Sequence, residues 1–381
     1  MKSAFINHYR ATRRQFIKQL SVVAGLGAVA SLGLTPWPVR AAGGKDWRMP
    51  DEGDRHARAF IAFGAQDAIW EDFTPDVQAA IGLIARTIAR FEPVTVFCRQ
   101  HERSLAQQHC GSGNVSYVIT ELDDVWMRDT SANFVIDSQG ELGAVDFNFS
   151  GWGGKQQHEE DAQLAALVAD KTGAEYLRSE LVGEGGGIEV DGLGTAILTE
   201  SCWINRNRNP DWSKAEVEEE LKARLGLRKI IWLPGIKGKD ITDAHVDFYA
   251  RFAKPGVVIA NLDNDPESYD YKVTRKHLDI LQNATDADGR KLKIHTMSPP
   301  LKPRQSKFNR DNQDFAAGYI NYFVINGAVI APEFGDEAAD TKAYDLLSEL
   351  YPDREVLQLN IDAIAAGGGG IHCVTSHQPM I

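Results

Sequence analysis

The spacing of apolar residues predicts a chain of short buried strands separated by amphipathic helices. The segment 76–91 places apolar residues at helical intervals, and Thr74 and Pro75 suit the N-cap and first position of that helix. Pro93 ends the helix, and Val94–Phe97 follows as an apolar, β-branched run typical of a buried strand. This order of helix and strand favours an α/β protein.

The same order recurs along the chain. Helices are predicted at 76–91, 159–172, 214–225, 270–284 and 337–350. Strands are predicted at Ala59–Phe63, Val94–Phe97, Val115–Ile119, Asn133–Asp137, Ile188–Val190, Ala196–Thr199, Lys229–Leu233, Val246–Phe252, Val257–Ala260, Leu292–Thr296, Tyr319–Ile325, Ala328–Ala331 and Val356–Leu359. Five helices, each with two or three strands, suggest repeated ββαβ-like units, although no sequence repeat is visible and an ordinary α/β sheet is the alternative. Repeated units around an axis would bring distant loops to one face.

The N-terminal segment has the pattern of an export signal. Thr12–Lys18 is basic and contains a twin arginine, Leu20–Leu34 is apolar, and Val39–Ala42 ends in small residues. We predict a twin-arginine signal peptide over 1–42, read by the twin-arginine export machinery, and a single catalytic domain over 43–381. The alternative is a membrane anchor, but the apolar run is shorter than the roughly 20 residues a span needs. The mature protein is then expected to be periplasmic or secreted, with no stable membrane anchor.

The net charge limits the class of ligand, and the cysteine count limits the number of disulfides. The chain of 381 residues carries a formal net charge of −12, and the predicted signal contributes only basic residues. This acidity argues against nucleic acid and is compatible with a cationic substrate, although it also simply aids solubility. Four cysteines in so long a chain are no disulfide scaffold. Cys98 and Cys110 could pair in an oxidising compartment, and the sequence leaves that open.

The last residues of the chain hold a candidate nucleophile. Gly367–Gly370 leaves the backbone uncovered, and Cys373 follows next to His372. A thiol at the end of a glycine loop is a plausible nucleophile, whereas a lone cysteine is commonly a small buried hydrophobe. The other polar segments decide between these interpretations.

One segment offers groups that suit a guanidinium ion. Trp126 supplies a flat π-face and Asp129 a carboxylate, which match stacking and paired hydrogen bonds. The alternative is a core tryptophan beside a structural ion pair between Arg128 and Asp129. Glu184 stands before three glycines, where a plain turn is the alternative.

His245 and Asp247 form the fourth candidate segment. Residues two apart on a strand face the same side, so a strand at 246–252 would make them an acid–base pair, or merely a solvated face. His245, Asp247, Glu184 and His372 could also ligate a metal. No CxxC, HExxH or paired-histidine spacing is present in the chain, so we predict no metal.

Several motifs together resemble one known family. They occur in the order Trp126–Asp129, Glu184–Gly186, Asn205–Pro210, His245–Asp247 and Gly369–Cys373. With Glu92–Val96, they make the chain similar to the agmatine deiminase and Porphyromonas-type peptidylarginine deiminase family, from about Met49 to Pro379.

The resemblance implies a pentein fold, which is an α/β-propeller of five ββαβ-type modules around a pseudo-fivefold axis. By motif, it implies Cys373 as nucleophile and His245 as general acid and base. It also implies Asp129 and Asp247 as guanidinium-binding carboxylates and Glu184 as a supporting glutamate. The implied substrate is a small cationic guanidino compound, no cofactor is needed, and a homo-oligomer is possible.

The chain departs from the family pattern at Ser131–Asn133 and at Gly53. The expected activity is hydrolysis of agmatine to N-carbamoylputrescine and ammonia, a step of putrescine and polyamine biosynthesis. The alternatives are deimination of peptidylarginine or free arginine to citrulline, or a protein that binds guanidino compounds without turnover.

Overall fold

The computed structural model describes residues 45–381, which fold into five small sheets. The sixteen strands are β1 His56–Phe63, β2 Val94–Cys98, β3 Val115–Ile119, β4 Asn133–Ile136, β5 Leu142–Asp146, β6 Glu175–Arg178, β7 Glu189–Val190, β8 Thr195–Thr199, β9 Lys229–Leu233, β10 Ala250–Lys254, β11 Val257–Asn261, β12 Lys293–Met297, β13 Phe323–Ile325, β14 Ala328–Glu333, β15 Glu355–Asn360 and β16 Thr375–Pro379. The described helices are α1 Asp67–Trp70, α2 Thr74–Ile88, α3 Arg103–Cys110, α4 Met127–Thr130, α5 Gly151–Gly154, α6 Leu164–Thr172, α7 Glu200–Trp203, α8 Lys214–Leu225, α9 Tyr271–Asn283, α10 Glu337–Leu350 and α11 Asp362–Ala365.

Four of the sheets repeat one topology. In each, an antiparallel pair is followed by a helix and a strand parallel to the second member, as in β13, β14, α10 and β15. The other three are β4–β5–β6, β7–β8–β9 and β10–β11–β12. This arrangement confirms the predicted ββαβ units. Each unit forms its own sheet from strands that are consecutive in the chain, and helices cover the apolar faces of the sheets.

The fifth sheet joins the two ends of the described chain. Its order is β16–β1–β2–β3, with β16 antiparallel to β1 and the remaining strands parallel. Because Cys373 lies two residues before β16, the same closure fixes the candidate nucleophile.

Helix α2 shows how the sequence pattern produces burial. Val77, Ile81 and Ile84 lie on one face and are fully buried against the first sheet and its neighbours. The helix begins one residue earlier than predicted, at Thr74 itself, so Phe73 is the N-cap and Thr74 is no cap. The Thr74 hydroxyl instead donates to the carbonyl of Glu71 at 2.9 Å.

Two predicted strands are wrong over part of their length. Of the predicted strand Tyr319–Ile325 only Phe323–Ile325 forms, because its pairing with β14 begins at Phe323. Residues Val246–Phe248 form a 3₁₀ turn, and β10 begins only at Ala250. His245 and Asp247 therefore do not share a strand face, and their proximity has another cause, described below. The sequence analysis also missed α3, β5, β6 and β16.

The other expectations concern the termini and thiols. The predicted signal at 1–42 lies outside the described residues, and the boundary at residue 43 stays a prediction. No helix within 45–381 is long and apolar enough to cross a bilayer. Cys98 and Cys110 are both buried free thiols.

Candidate active site

Loops from four sheets bring the five predicted catalytic groups together. Their side chains belong to residues that are at most 7% exposed: Cys373, His245, Asp247, Asp129 and Glu184. Cys373 lies just before β16, and Asp129 lies in α4. Asp247 lies in the 3₁₀ turn Val246–Phe248, with His245 directly before it, and Glu184 directly precedes the 3₁₀ turn Gly185–Gly187. The catalytic roles assigned to them stay predictions, but the grouping itself is a property of the structure.

Cys373 faces a carboxylate and an amide. Its Sγ lies 3.7 Å from Asp247 Oδ2 and 3.4 Å from Asn321 Oδ1. The backbone N–H of Cys373 also donates to Asn321 Oδ1 at 3.3 Å, which fixes the turn. Burial, then the charges of Asp247 and Asp129, raise the pKa of the thiol well above its ordinary value. In the free protein the thiol of this candidate nucleophile is therefore protonated.

His245 is held between two carboxylates. Its Nε2 lies 3.1 Å from Glu184 Oε2, and its Nδ1 lies 3.7 Å from Asp129 Oδ1. Burial disfavours a charged ring, but Asp129 and Glu184 outweigh it and hold the pKa of His245 well above its ordinary value. His245 is thus a buried cation with a proton to give.

The backbone before His245 explains its direction. Asp243 and Ala244 both have positive φ, at 62° and 71°, a conformation that residues with a Cβ seldom adopt in succession. The carboxylate of Asp240 accepts from the N–H of Ala244, at 3.1 and 3.2 Å, and stabilises this turn. A turn of this kind, rather than a strand, presents His245 and Asp247 to the same space.

Asp129 is anchored by two donors. Its Oδ1 accepts from the N–H of Gly186 and its Oδ2 from Trp152 Nε1, both at 2.9 Å. Burial raises the pKa of Asp129 to about 6, although His245 opposes the shift. The carboxylate is therefore rigid and ionises just below neutral pH.

Asp247 has one committed and one free oxygen. Its Oδ2 accepts from His372 Nδ1 at 2.8 Å. Burial disfavours its charge, yet this hydrogen bond and the nearby histidines hold the pKa of Asp247 below its ordinary value. Its Oδ1 is buried, and nothing in residues 45–381 donates to it. An ionised carboxylate oxygen in this position suits a cationic donor from a ligand.

Gly186 is required by space. A Cβ at this residue would lie 2.6 Å from His245 Nδ1, 2.8 Å from Asp129 Oδ1 and 3.2 Å from Asp247 Oδ2. The glycine therefore lets its N–H approach Asp129 and allows His245, Asp129 and Asp247 to lie around one point.

Trp126 lies beside the same loop. Its ring packs against Gly369, and its Nε1 donates to Asp124 Oδ2 at 2.8 Å. The alternative ion pair between Arg128 and Asp129 is not formed, because Arg128 pairs with Glu52 at 2.8 Å. Stacking of Trp126 on a substrate stays a prediction.

Sequence reasoning missed several supporting residues. Glu52 accepts from Arg128, Arg251 and His372 at 2.7 to 2.9 Å, and so joins the Cys373 loop to helix α4 and strand β10. Glu52 directly precedes Gly53, where the chain departs from the family pattern, and that segment could have indicated it. No sequence signal pointed to Asn321 or Trp152.

The structure also tests the donor set for a metal. Among the described residues, Glu184, Cys202 and His245 place ligand atoms within 4.8 Å of one another. Arg208 Nε already donates to both oxygens of Glu184 at 2.9 Å, and its positive charge opposes a bound cation. Glu184, Cys202 and His245 are better described as a hydrogen-bonded cluster around the protonated imidazole than as metal ligands.

Comparison with known proteins adds an independent line. Residues 48–379 match the family described as Porphyromonas-type peptidyl-arginine deiminase. An agmatine deiminase of Pseudomonas aeruginosa is 36% identical over 352 residues, covering 87% of this chain and 95% of that protein. One of Stutzerimonas stutzeri is 35% identical over 350 residues, with coverage of 87% and 95%. The structure of an Enterococcus faecalis agmatine deiminase catalysing its reaction superposes with a TM-score of 0.82 at 29% identity, covering 89% of this chain and 99% of that one.

The fold is thus a pentein, and the class is that of hydrolases acting on the C–N bonds of amidines. The chain belongs to the Porphyromonas-type peptidyl-arginine deiminase family.

Proposed function

We propose that this protein hydrolyses agmatine to N-carbamoylputrescine and ammonia. The observation that carries the proposal is the free, buried Oδ1 of ionised Asp247 beside the thiol of Cys373, with Asp129 nearby. Two carboxylates around a protected thiol suit a planar cation whose central carbon is to be attacked. The resemblance to agmatine deiminases supports the same substrate.

Binding places the guanidinium between Asp129 and Asp247. Paired hydrogen bonds from a planar cation to carboxylates fix both its position and its orientation. The cation also offsets the two charges that raise the pKa of Cys373, so the substrate itself favours the thiolate. Ionisation of the nucleophile is therefore coupled to occupancy of the site.

In the first half-reaction the Cys373 thiolate attacks the guanidinium carbon and a C–S bond forms. His245 gives its proton to the departing nitrogen, the C–N bond breaks, and ammonia leaves. The product on the enzyme is an amidino-thioether, and His245 is now neutral.

In the second half-reaction neutral His245 takes a proton from water while the oxygen adds to the same carbon. The C–S bond then breaks and the second proton of the water passes to the sulfur, which releases the ureido product and restores the Cys373 thiol and the protonated His245. The thiol loses its proton to solvent when the next substrate cation binds. Glu184 holds the imidazole ring through both steps, since its Oε2 contacts Nε2.

The enclosed site favours a small guanidino amine over the alternatives. A peptide backbone would need an open cleft, whereas the five groups are at most 7% exposed. Free arginine would need a cation for its carboxylate, but Arg128, Arg208 and Arg251 are each paired with glutamates. The departure at Ser131–Asn133 is buried behind Asp129 and leaves the reacting groups intact.

We further propose that the protein reaches the periplasm or the exterior through the twin-arginine pathway and supplies a precursor of putrescine there. The basic twin-arginine segment before Leu20–Leu34 supports this location. Fractionation of cells expressing the full chain, with Arg13 and Arg14 replaced by lysine as the control, would test it. Unchanged location in that variant would contradict twin-arginine export.

The activity itself is tested by offering purified residues 43–381 agmatine, arginine and a blocked arginyl peptide separately. We expect ammonia and a ureido product in equal amounts from agmatine, and far slower release from the others. Preferred turnover of the peptide would replace agmatine by peptidylarginine. Binding of agmatine without any product, with Cys373 reduced, would favour a binding protein instead.

Trp152→Phe should lower kcat/KM about tenfold, because Asp129 loses the indole N–H that supports its charge. The pKa of Asp129 should rise further, so the acidic limb of the pH–rate profile should move to higher pH. Phenylalanine keeps an aromatic ring at this positive-φ position, so the backbone strain is common to both proteins. Trp232→Phe is the matched control, since Trp232 Nε1 also donates to a carboxylate, that of Glu218, at 2.9 Å. Equal losses in both variants would contradict the role of Trp152.

A further inference from the structure

The motif Asn205–Pro210 carries a buried arginine directly behind the acid–base pair. The side chain of Arg208 is fully buried, and its Nε lies 2.9 Å from both Oε1 and Oε2 of Glu184. Glu184 in turn contacts His245 Nε2 at 3.1 Å. Arg208 touches no group that would meet the substrate, so the mechanism above leaves it without a task.

The far side of Arg208 contacts the strained turn before His245. Its Nη1 donates to Asp243 Oδ2 and its Nη2 to the carbonyl of Thr242, both at 2.9 Å. Asp243 also accepts from Lys155 Nζ at 2.6 Å and from Asn207 Nδ2 at 3.0 Å. The arginine therefore connects the carboxylate that holds His245 to the backbone that aims it.

We infer that Arg208 and Asp243 are positioning residues that set the proton affinity of the Glu184–His245 pair. The inference rests on the proposed function, because it assigns them to the acid and base steps of the same reaction. His245 must release a proton in the first half-reaction and take one from water in the second. Such a group works well only when its proton is held neither too tightly nor too loosely.

The signs of the two charges are opposite. Arg208 stabilises ionised Glu184 and repels a further proton on the pair, whereas Asp243 partly neutralises Arg208 and has the reverse effect. Burial disfavours the charge of Glu184, yet Arg208 and His245 hold its pKa below the ordinary value. The other ionisable groups facing His245 are Asp129, Asp247 and the thiol of Cys202, and the variants below leave all three unchanged.

The experiment compares four variants by their pH–rate profiles, and the first two change the charge. Arg208→Met removes the positive charge, so the profile should move to higher pH by about one unit, with kcat lowered about 100-fold. Asp243→Asn removes a negative charge, so the profile should move to lower pH by about half a unit. Asparagine tolerates the positive φ of 62° at this position, which protects the backbone.

Two further variants separate charge from packing. Arg208→Lys keeps the charge and loses the planar fork, so kcat should fall about tenfold with little movement of the profile. Arg99→Met is the matched control for loss of a buried arginine, because Arg99 pairs with Glu102 away from the site. Its profile should coincide with that of the wild type.

A second readout does not depend on turnover. The imidazole ¹⁵N resonances of His245, assigned by their loss in His245→Gln, should titrate to higher pH in Arg208→Met and to lower pH in Asp243→Asn. Profiles and titrations that stay at the wild-type position, or move in the same direction in both variants, would overturn the inference. If Arg208→Met fails to fold, Asp243→Asn and Arg208→Lys still decide. If the wild type turns over no guanidino substrate, the proposed function fails. The titrations still test whether Arg208 and Asp243 set the proton affinity of the Glu184–His245 pair.

Discussion

Cys373→Ala should abolish turnover, by about 10⁴-fold or more in kcat, while the protein stays folded. The thiol beside Asp247 and Asn321 is that of Cys373, whereas the Cys202 thiol lies behind His245 against Glu184. Alanine at this position removes one sulfur atom beside the glycine loop Gly367–Gly370, so the free energy of unfolding should change little. Cys373→Ser should be nearly as inactive, because a hydroxyl beside two carboxylates is far harder to ionise than a thiol.

The measurement is single-turnover ammonia release, together with thermal unfolding to verify the fold. Cys98→Ala is the control, because Cys98 is equally buried but lies in β2 within the apolar core. The two carboxylates survive in Cys373→Ala, so agmatine should still bind. Turnover near the wild-type rate in Cys373→Ala would remove the nucleophile assignment.

Local sequence rules located the elements whose apolar pattern has one strong cause. Lys229–Leu233 and Val115–Ile119 were predicted with their observed bounds, and helix α8 begins at a capping box formed by Ser213 and Glu216. Strand β6, Glu175–Arg178, was missed because it is a mostly exposed edge strand with no buried alternation. Strand β16 was missed because its identity depends on pairing with β1, more than 300 residues away in the chain.

The candidate site was predictable in its composition but not in its geometry. The motifs named five groups. The structure places His245, Asp129 and Asp247 around Gly186, with Glu184 in contact with His245 and Cys373 in contact with Asp247. The strand predicted through His245 and Asp247 failed because alternation cannot reveal two successive positive-φ residues, which the carboxylate of Asp240 supports from outside the motif. Asn321 and Trp152 act through contacts with residues distant in the chain, which no local pattern records.

Asp247→Asn should lower kcat/KM about 1,000-fold, with KM raised and kcat reduced. The free Oδ1 is the proposed partner of the guanidinium, so the variant loses a charge-assisted hydrogen bond and presents an uncharged amide in its place. The amide also disturbs the contact with His372 Nδ1, which holds the carboxylate in position. Both binding and alignment of the reacting carbon should therefore suffer.

For the reactivity of the Cys373 thiol, we expect Asp247→Asn to have the opposite effect, an increase. Burial and then the charge of Asp247 raise the pKa of Cys373, so removing that charge should lower the pKa. Alkylation of Cys373 by iodoacetamide in the substrate-free enzyme should accordingly become faster at a fixed pH in Asp247→Asn, even as turnover falls. Asp191→Asn is the control, since Asp191 is an equally buried loop aspartate that accepts backbone N–H groups away from the site. Slower alkylation together with lost turnover would indicate that the site has collapsed. That result would contradict the view that the substrate cation offsets the carboxylate charges which keep the Cys373 thiol protonated in the free enzyme.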